Sequence, residues 1–289
     1  MKLALGTAQF GLDYGLSNTS GQVELPEVKS ILEEAKKYNI DTLDTAIAYG
    51  NSESILGEVG VDKFSIVTKL PPIPKDISDI ESWVNNQVKA SLKKMNIDSV
   101  SGLLLHRSAD LFETPKRQLF DSLCKLRDNG TVNKIGISIY NPDELETLEE
   151  HGIKIDIIQA PFNILDRRLE SSGWLNKLSK AGVELHSRSV FLQGLLLQEK
   201  DQRNPYFNKW DDYFNQLDEW VNDTKQTKLS AALNFPYSYD KINKIIVGVQ
   251  NKPQLIDVIS SISQNSHLAI PEEFRIDDPM LINPTNWNL

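Results

Sequence analysis

Short aliphatic and β-branched runs alternate with longer segments of helical periodicity along almost the whole chain, and this alternation constrains the fold most. Such runs predict eight strands, at residues 3–5, 42–46, 64–69, 100–105, 134–139, 155–160, 183–187 and 245–249. Strands that alternate with helices form parallel sheets, because each helix returns the chain to the same edge. Eight such units in 289 residues fit a closed barrel better than an open doubly wound sheet.

The segments between the strands carry apolar residues at helical spacing. They predict helices over 26–38, 80–95, 142–150, 168–181 and 253–262, and one along Leu119, Leu123 and Leu126 that ends at Asn129-Gly130. Residues 198–226 are polar and aromatic and predict an extra helix after strand seven, and residues 270–289 form a tail. No Pro/Gly/Ser-rich linker interrupts the chain, so we expect one domain over 1–289, a single α/β (β/α)8 TIM barrel.

Composition excludes several classes of protein. A net charge of −9 argues against binding to a nucleic-acid backbone. No apolar run approaches the roughly 18 residues that a membrane span needs, and residues 1–15 are too interrupted for a signal peptide. The single Cys124 allows no internal disulfide and suits a reducing compartment. We therefore expect a cytoplasmic protein without membrane or nucleic-acid partners and take a monomer as the default; no His or Cys cluster predicts a metal site.

Four side chains that handle protons or charge follow neighbouring predicted strands. Asp44 and Tyr49 follow the second strand, Lys69 ends the third and His106 follows the fourth. The carboxyl ends of barrel strands share one mouth, where the active sites of such barrels lie. A phenol is a weak acid with a pKa of about 10, and a nearby ammonium stabilises its phenolate. A carboxylate can hold that ammonium and an imidazole can orient a substrate oxygen, so together they predict a proton relay aimed at a carbonyl.

Each of these residues also has a purely structural interpretation. Asp44 alone could cap a turn, Tyr49 could be a packing residue and His106 could be a buried core histidine. Lys69 at the end of an apolar strand needs a charge partner if it is buried. Their joint occurrence at consecutive strand ends favours the functional interpretation.

The sequence resembles the aldo-keto reductase family from the first strand to about Ser261. The motifs that carry the resemblance are LGTAQFG at 5–11, DTLDTA at 41–46 followed by YGNSE at 49–53 and LG at 56–57, VTK at 67–69, and LLH at 104–106. By this match Asp44, Tyr49, Lys69 and His106 fall on the family's catalytic tetrad. The resemblance implies NAD(P)H-dependent reduction of a small aldehyde or ketone, with Tyr49 as the proton donor.

The resemblance also assigns residues to the cofactor. It places Gly6 and Thr7 in the family's first-strand motif, and Ser138 and Gln159 beside the nicotinamide amide. Arg188 falls where relatives stack an aromatic ring on the nicotinamide, and a guanidinium can stack on a planar ring as well. The segment that binds the adenosine phosphate in relatives matches Gly248, Gln250, Lys252, Gln254 and Asp257.

Two positions depart from the family pattern. Ile139 stands where many members have an Asn after the serine, and Gln250 stands where an Arg is common. Gln cannot balance a 2′-phosphate charge, although Lys252 lies nearby in sequence. The family resemblance thus favours NADPH, and Gln250 makes NADH a stronger alternative than in family members with an Arg at this position. Two alternative functions stay open: a cofactor-sensing binding subunit with little turnover, and a Schiff-base lyase that uses Lys69 as its nucleophile.

Overall fold

Eight parallel strands close into a barrel in the order of the chain. The structure, a computed structural model, describes residues 1–16, 18, 20–113, 116–262 and 270–289; His267 lies outside these ranges. The strands are β1 (Leu3–Gly6), β2 (Thr42–Asp44), β3 (Ser65–Leu70), β4 (Gly102–Leu105), β5 (Ile135–Ser138), β6 (Ile157–Pro161), β7 (Glu184–Arg188) and β8 (Lys244–Gly248). β1 pairs with both β2 and β8, with Gly6 opposite Asp44 and Gly248. The predicted α/β barrel is confirmed.

Helices surround the barrel. They are α1 (Ala8–Gly11), α2 (Leu25–Lys37), α3 (Ser52–Val59), α4 (Ile80–Met95), α5 (Asp110–Glu113), α6 (Lys116–Asp128), α7 (Asp143–Glu150), α8 (Arg168–Ser171), α9 (Trp174–Lys180), α10 (Asp211–Asp223), α11 (Lys228–Tyr237), α12 (Lys252–Ile262) and α13 (Pro279–Ile282). Short 3-10 turns lie at Leu192–Leu197, Lys200–Gln202, Pro205–Trp210, Glu272–Phe274 and Pro284–Asn286. No helix among the described residues is long and apolar enough to cross a membrane.

Most predicted helices lie where the periodicity put them. The extra helix after β7 is confirmed as α10. The single helix predicted over 168–181 is wrong, because Gly173 adopts a left-handed φ of 81° and separates α8 from α9. Sequence reasoning missed the short helices α1, α5 and α13 and two longer ones, α3 and α11. The buried face of α11 carries small residues such as Ala231 and Ala232 rather than a clear stripe of large ones.

The interior of the barrel is layered. Alternate residues of a strand face the same side, so Val67 and Lys69 share one face of β3, and Ile157 and Gln159 share one face of β6. Val67, Leu104 and Ile157 form a buried cluster separate from the main core. A Cβ added to Gly102 on β4 would lie 2.8 Å from Ile157 Cδ1 on β6. Since β4 and β6 are not neighbours, this contact crosses the interior, and an apolar layer fills the barrel below the polar strand ends.

Aromatic residues join the segment after β7 to the tail. Trp210 Nε1 donates to Asp278 Oδ2 at 3.0 Å, and the Phe207 and Trp287 rings meet edge to face with centroids 5.0 Å apart. Tyr206 donates its hydroxyl to Met280 O at 2.9 Å. The tail therefore packs against the segment after β7 and supports it.

Candidate active site

Asp44 and Lys69 form a buried ion pair at the carboxyl ends of β2 and β3, and the half-buried Tyr49 lies beside it. Lys69 Nζ donates to Asp44 Oδ1 at 2.6 Å and to Thr45 O at 2.9 Å. The ammonium lies 5.1 Å from the centre of the Tyr49 ring. Burial by itself lowers the pKa of Lys69, but Asp44 and Tyr49 outweigh it and raise that pKa above its ordinary value. Lys69 is therefore a permanent cation beside the phenol at neutral pH.

Gln159 holds the second oxygen of Asp44. Its Nε2 donates to Asp44 Oδ2 at 2.7 Å. Thr7 supports the same strand end, since its backbone N–H and its hydroxyl donate to Asp44 O at 2.9 and 3.1 Å. Both carboxylate oxygens of Asp44 are thus engaged, which fixes the orientation of the group that holds Lys69.

His106 follows β4 and meets Tyr49 edge to face, with ring centroids 5.9 Å apart. Burial, followed by the charges of Lys69 and Arg188, lowers the pKa of His106 to about 4. The imidazole is neutral at pH 7 and can donate one hydrogen bond. A carbonyl oxygen between His106 and Tyr49 would meet two donors, which is the arrangement that carbonyl reduction requires.

The turn that carries Tyr49 rests directly on α1. A Cβ added to Gly11 would lie 1.9 Å from Tyr49 O, so only glycine permits the approach. Ser52, which follows this turn, donates its hydroxyl to Thr7 O at 2.9 Å. Backbone packing thus sets the position of the phenol.

A cavity of about 630 Å³ opens over this cluster. It is lined by the relay residues Asp44, Tyr49 and His106 and by most of the residues assigned to the cofactor, namely Gly6, Ser138, Gln159, Arg188, Gly248, Gln250, Gln254 and Asp257. Two assigned residues are not in this lining. Thr7 is fully buried beneath it, and the Lys252 ammonium pairs with Glu34 on α2 at 3.0 Å.

The lining fits a nicotinamide cofactor. Gly6 and Gly248 are opposite each other across β1 and β8, and a Cβ on Gly248 would meet the end of the Gln9 side chain, 2.5 Å from its Nε2. Ser138 and Gln159 are register partners on β5 and β6, where they present a hydroxyl and an amide together. Arg188 Nε is a buried donor without a partner, as expected of a site built for a polar ligand.

Sequence reasoning missed part of the wall. Tyr14, Tyr140 and Gln193 also line the cavity. The segment after β7 has positive φ at Ser189 (56°) and Gln193 (55°), values that are uncommon for residues other than glycine. Tyr140 directly follows the predicted strand at 134–139, and this position could have indicated that it lies at the mouth of the barrel.

Comparison with known proteins agrees with this geometry. The sequence model of the Aldo/keto reductase family matches residues 2–270. The oxidoreductase sirO of Leptosphaeria maculans is 27% identical over 221 residues, which cover 72% of this chain and 65% of that protein. The NADH-specific methylglyoxal reductase of Escherichia coli is 28% identical over 216 residues, which cover 68% of this chain and 65% of that protein. The matches thus span 65% of the length of these two relatives.

Solved structures share the fold. An aldo-keto reductase from Bacillus halodurans, in its holo form, superposes with a TM-score of 0.74 at 19% identity and covers 91% of this chain and 87% of that one. At this identity the likeness concerns the fold.

Proposed function

Because the chain belongs to the Aldo/keto reductase family, we propose that it is an oxidoreductase that reduces a small aldehyde or ketone to the alcohol, with Tyr49 as the proton donor. A bound reduced nicotinamide supplies the hydride. Ser138 and Gln159 would hold its amide, and Gly6 and Gly248 leave room for it. The observation that carries the proposal is the Lys69 ammonium, buried between Asp44 and the Tyr49 ring.

The chain's own residues divide the work. Tyr49 and His106 donate hydrogen bonds to the carbonyl oxygen and polarise it. Tyr49 then gives its proton to that oxygen as negative charge develops there. Lys69 stabilises the phenolate that remains, and Asp44, held by Gln159, keeps Lys69 in place. The alternative use of Lys69 as a Schiff-base nucleophile lacks support, because that reaction needs a neutral amine and the pKa of Lys69 is raised.

Replacement of the phenol tests the proposal. Tyr49→Phe should lower turnover by about 10²–10⁴-fold, the usual share of a general acid, and leave cofactor affinity nearly unchanged. Turnover is read from loss of NADH or NADPH absorbance with a panel of aldehydes, ketones and sugars. Tyr38→Phe, at an exposed position at the end of α2, is the control. Wild-type turnover in Tyr49→Phe would refute the assignment, and cofactor binding without turnover in the parent would favour the binding-subunit alternative.

The family resemblance favoured NADPH, with NADH as the alternative; because Lys252 pairs with Glu34, we propose NADH in preference to NADPH instead. Gln250, Gln254 and Asp257 line the cavity near the start of α12. Lys252, the cation that could balance a 2′-phosphate, is engaged by Glu34. An unbalanced phosphate beside the Asp257 carboxylate is disfavoured by like charge. Titration of tryptophan fluorescence with each cofactor tests this, and tighter binding of NADPH would refute it.

We propose further that residues 1–289 act as one domain and as a monomer in the cytoplasm. The continuous barrel order from β1 to β8 and the tail packed on the segment after β7 support the single domain. Sedimentation of the purified protein tests the monomer, and a stable dimer at micromolar concentration would contradict it.

A further inference from the structure

Arg188, at the end of β7, is a cation that faces the catalytic cavity and is held by neutral groups. Its Nη2 donates to Ile139 O at 2.8 Å and its Nη1 to Ser189 Oγ at 3.1 Å. The guanidinium carbon lies 4.3 Å from the centre of the Tyr140 ring. Nε is buried and has no partner. The second hydrogens on Nη1 and Nη2 remain for a ligand.

Arginines in the segments that follow β6 and β7 are paired with carboxylates. Arg168 pairs with Asp166 at 2.8 Å, and Arg203 with Asp218 at 2.7 Å. In the described part of the chain, no carboxylate lies within ion-pair distance of Arg188. The neutral contacts of Arg188 replace part of the solvation that a half-buried cation loses but supply no opposite charge, so an anion from outside the chain would complete the site.

The charges around the reacting groups leave this cation unbalanced. The carboxylate of Asp44 is matched by Lys69 at 2.6 Å. His106 carries no charge at neutral pH, since its pKa lies at about 4 through burial and the charges of Lys69 and Arg188. Arg188 and His106 line the same cavity. Arg188 therefore stands beside the reacting groups without an opposite charge paired to it.

We propose that Arg188 binds an anionic group of the substrate, a carboxylate or a phosphate, while the carbonyl of the same molecule lies between Tyr49 and His106. The inference rests on the proposed function and names its substrate class as acidic aldehydes or ketones. A guanidinium recognises both anions through paired N–H donors. Tyr140 packs on one face of the guanidinium and fixes its plane, which prepares the edge for binding.

Matched substrates test the inference. Succinic semialdehyde and butanal share a four-carbon aldehyde and differ by a carboxylate; glyceraldehyde 3-phosphate and glyceraldehyde differ by a phosphate. At low salt, kcat/KM for at least one anionic member should exceed that of its neutral partner by about tenfold or more, equivalent to about 1.4 kcal/mol. In Arg188→Gln this ratio should fall to within about threefold of one, and Arg188→Lys, which keeps the charge, should restore part of it.

The ratio within each pair cancels any effect of Arg188 on the cofactor, since both members use the same bound cofactor. Lys125→Gln removes one positive charge from an exposed surface pair with Glu81 and should leave the ratio as in the parent. A parent ratio near one for both pairs, or a ratio that survives in Arg188→Gln, overturns the anion subsite. If Tyr49-dependent reduction of butanal, or of any other carbonyl compound in the panel, persists, the proposed function stands in either case. Reduction of none of the four aldehydes overturns this inference, and lack of activity towards the whole panel overturns the proposed function with it.

Discussion

At the scale of single residues, Lys69 shows how much of the site sequence reasoning could reach. A lysine at the end of an apolar strand needs a counter-charge, and Asp44 was the expected one; the 2.6 Å contact agrees with that expectation. The three hydrogen bonds from Gln159 and Thr7 to Asp44 were not predicted. They join residues that are far apart in sequence, and only the closed barrel brings them together.

Removal of the Asp44 charge should destabilise the protein. Asp44→Asn leaves Lys69 buried without its partner, and loss of one member of a buried pair costs about 3–5 kcal/mol. Asp41→Asn, which breaks the more exposed pair with Lys244, should cost less than about 1 kcal/mol. Urea unfolding of both variants measures the difference, and equal midpoints would show that the Asp44 pair contributes no special stability.

His106 should make stability depend on pH below neutrality. Its pKa is about 4 in the folded protein and about 6.5 when unfolded. Between these values the unfolded chain takes up a proton that the folded protein does not, so stability present above pH 6.5 is lost as the pH falls towards 4. In His106→Gln this part of the loss should disappear, whereas His151→Gln, at an exposed position, should keep it. Parallel stability curves for the parent and His106→Gln would contradict the assignment.

At the scale of elements, the accuracy of each prediction follows its local signals. α4 was predicted with its observed ends, because its apolar stripe runs between Asp79, which accepts from Ser82 N at 3.0 Å, and Asn96, whose left-handed φ of 54° ends the helix. The prediction of one helix over 168–181 was wrong because the apolar stripe continues past Gly173. A single glycine inside such a stripe does not by itself predict the end of a helix. The positive φ values of Ser189 and Gln193 were not predicted, because neither residue is a glycine and no pattern in the sequence indicates them.

The contact between α1 and the Tyr49 turn predicts a sensitive glycine. Gly11→Ala places a methyl 1.9 Å from Tyr49 O, so the turn must shift and carry the phenol away from His106. We expect lower stability, and turnover reduced more strongly than cofactor affinity. Gly130→Asn, where a Cβ meets nothing within 4 Å and Asn tolerates the left-handed φ, is the control. Full turnover in Gly11→Ala would show that the turn adapts.

At the scale of the whole molecule, eight alternating units were sufficient to predict a closed barrel and the mouth at which the relay lies. The side chains that would bind the cofactor were harder to predict. Lys252 is two residues after Gln250 in the chain, yet its side chain turns to α2 and pairs with Glu34. Such choices depend on how neighbouring helices pack, and a single sequence carries no pattern for them.

NADH and NADPH should therefore stabilise the folded barrel to different extents. A ligand that binds only the folded state raises the unfolding temperature according to its affinity, so NADH should raise it more than NADPH at equal concentration. Glu34→Gln releases Lys252 and should narrow this difference by strengthening NADPH binding. Thermal unfolding with each cofactor measures both effects. If NADPH affinity is the same in Glu34→Gln, Lys252 does not reach the phosphate and the pairing does not set the preference.

The apolar layer of Val67, Leu104 and Ile157 has a consequence for the timing of the catalytic cycle. These side chains are at most 2% exposed, and they close the barrel beneath Lys69, so water reaches the phenol from the mouth. In the proposed reaction, Tyr49 would regain its proton from the mouth, the side from which the alcohol also leaves. Reprotonation of the phenol would then follow departure of the product.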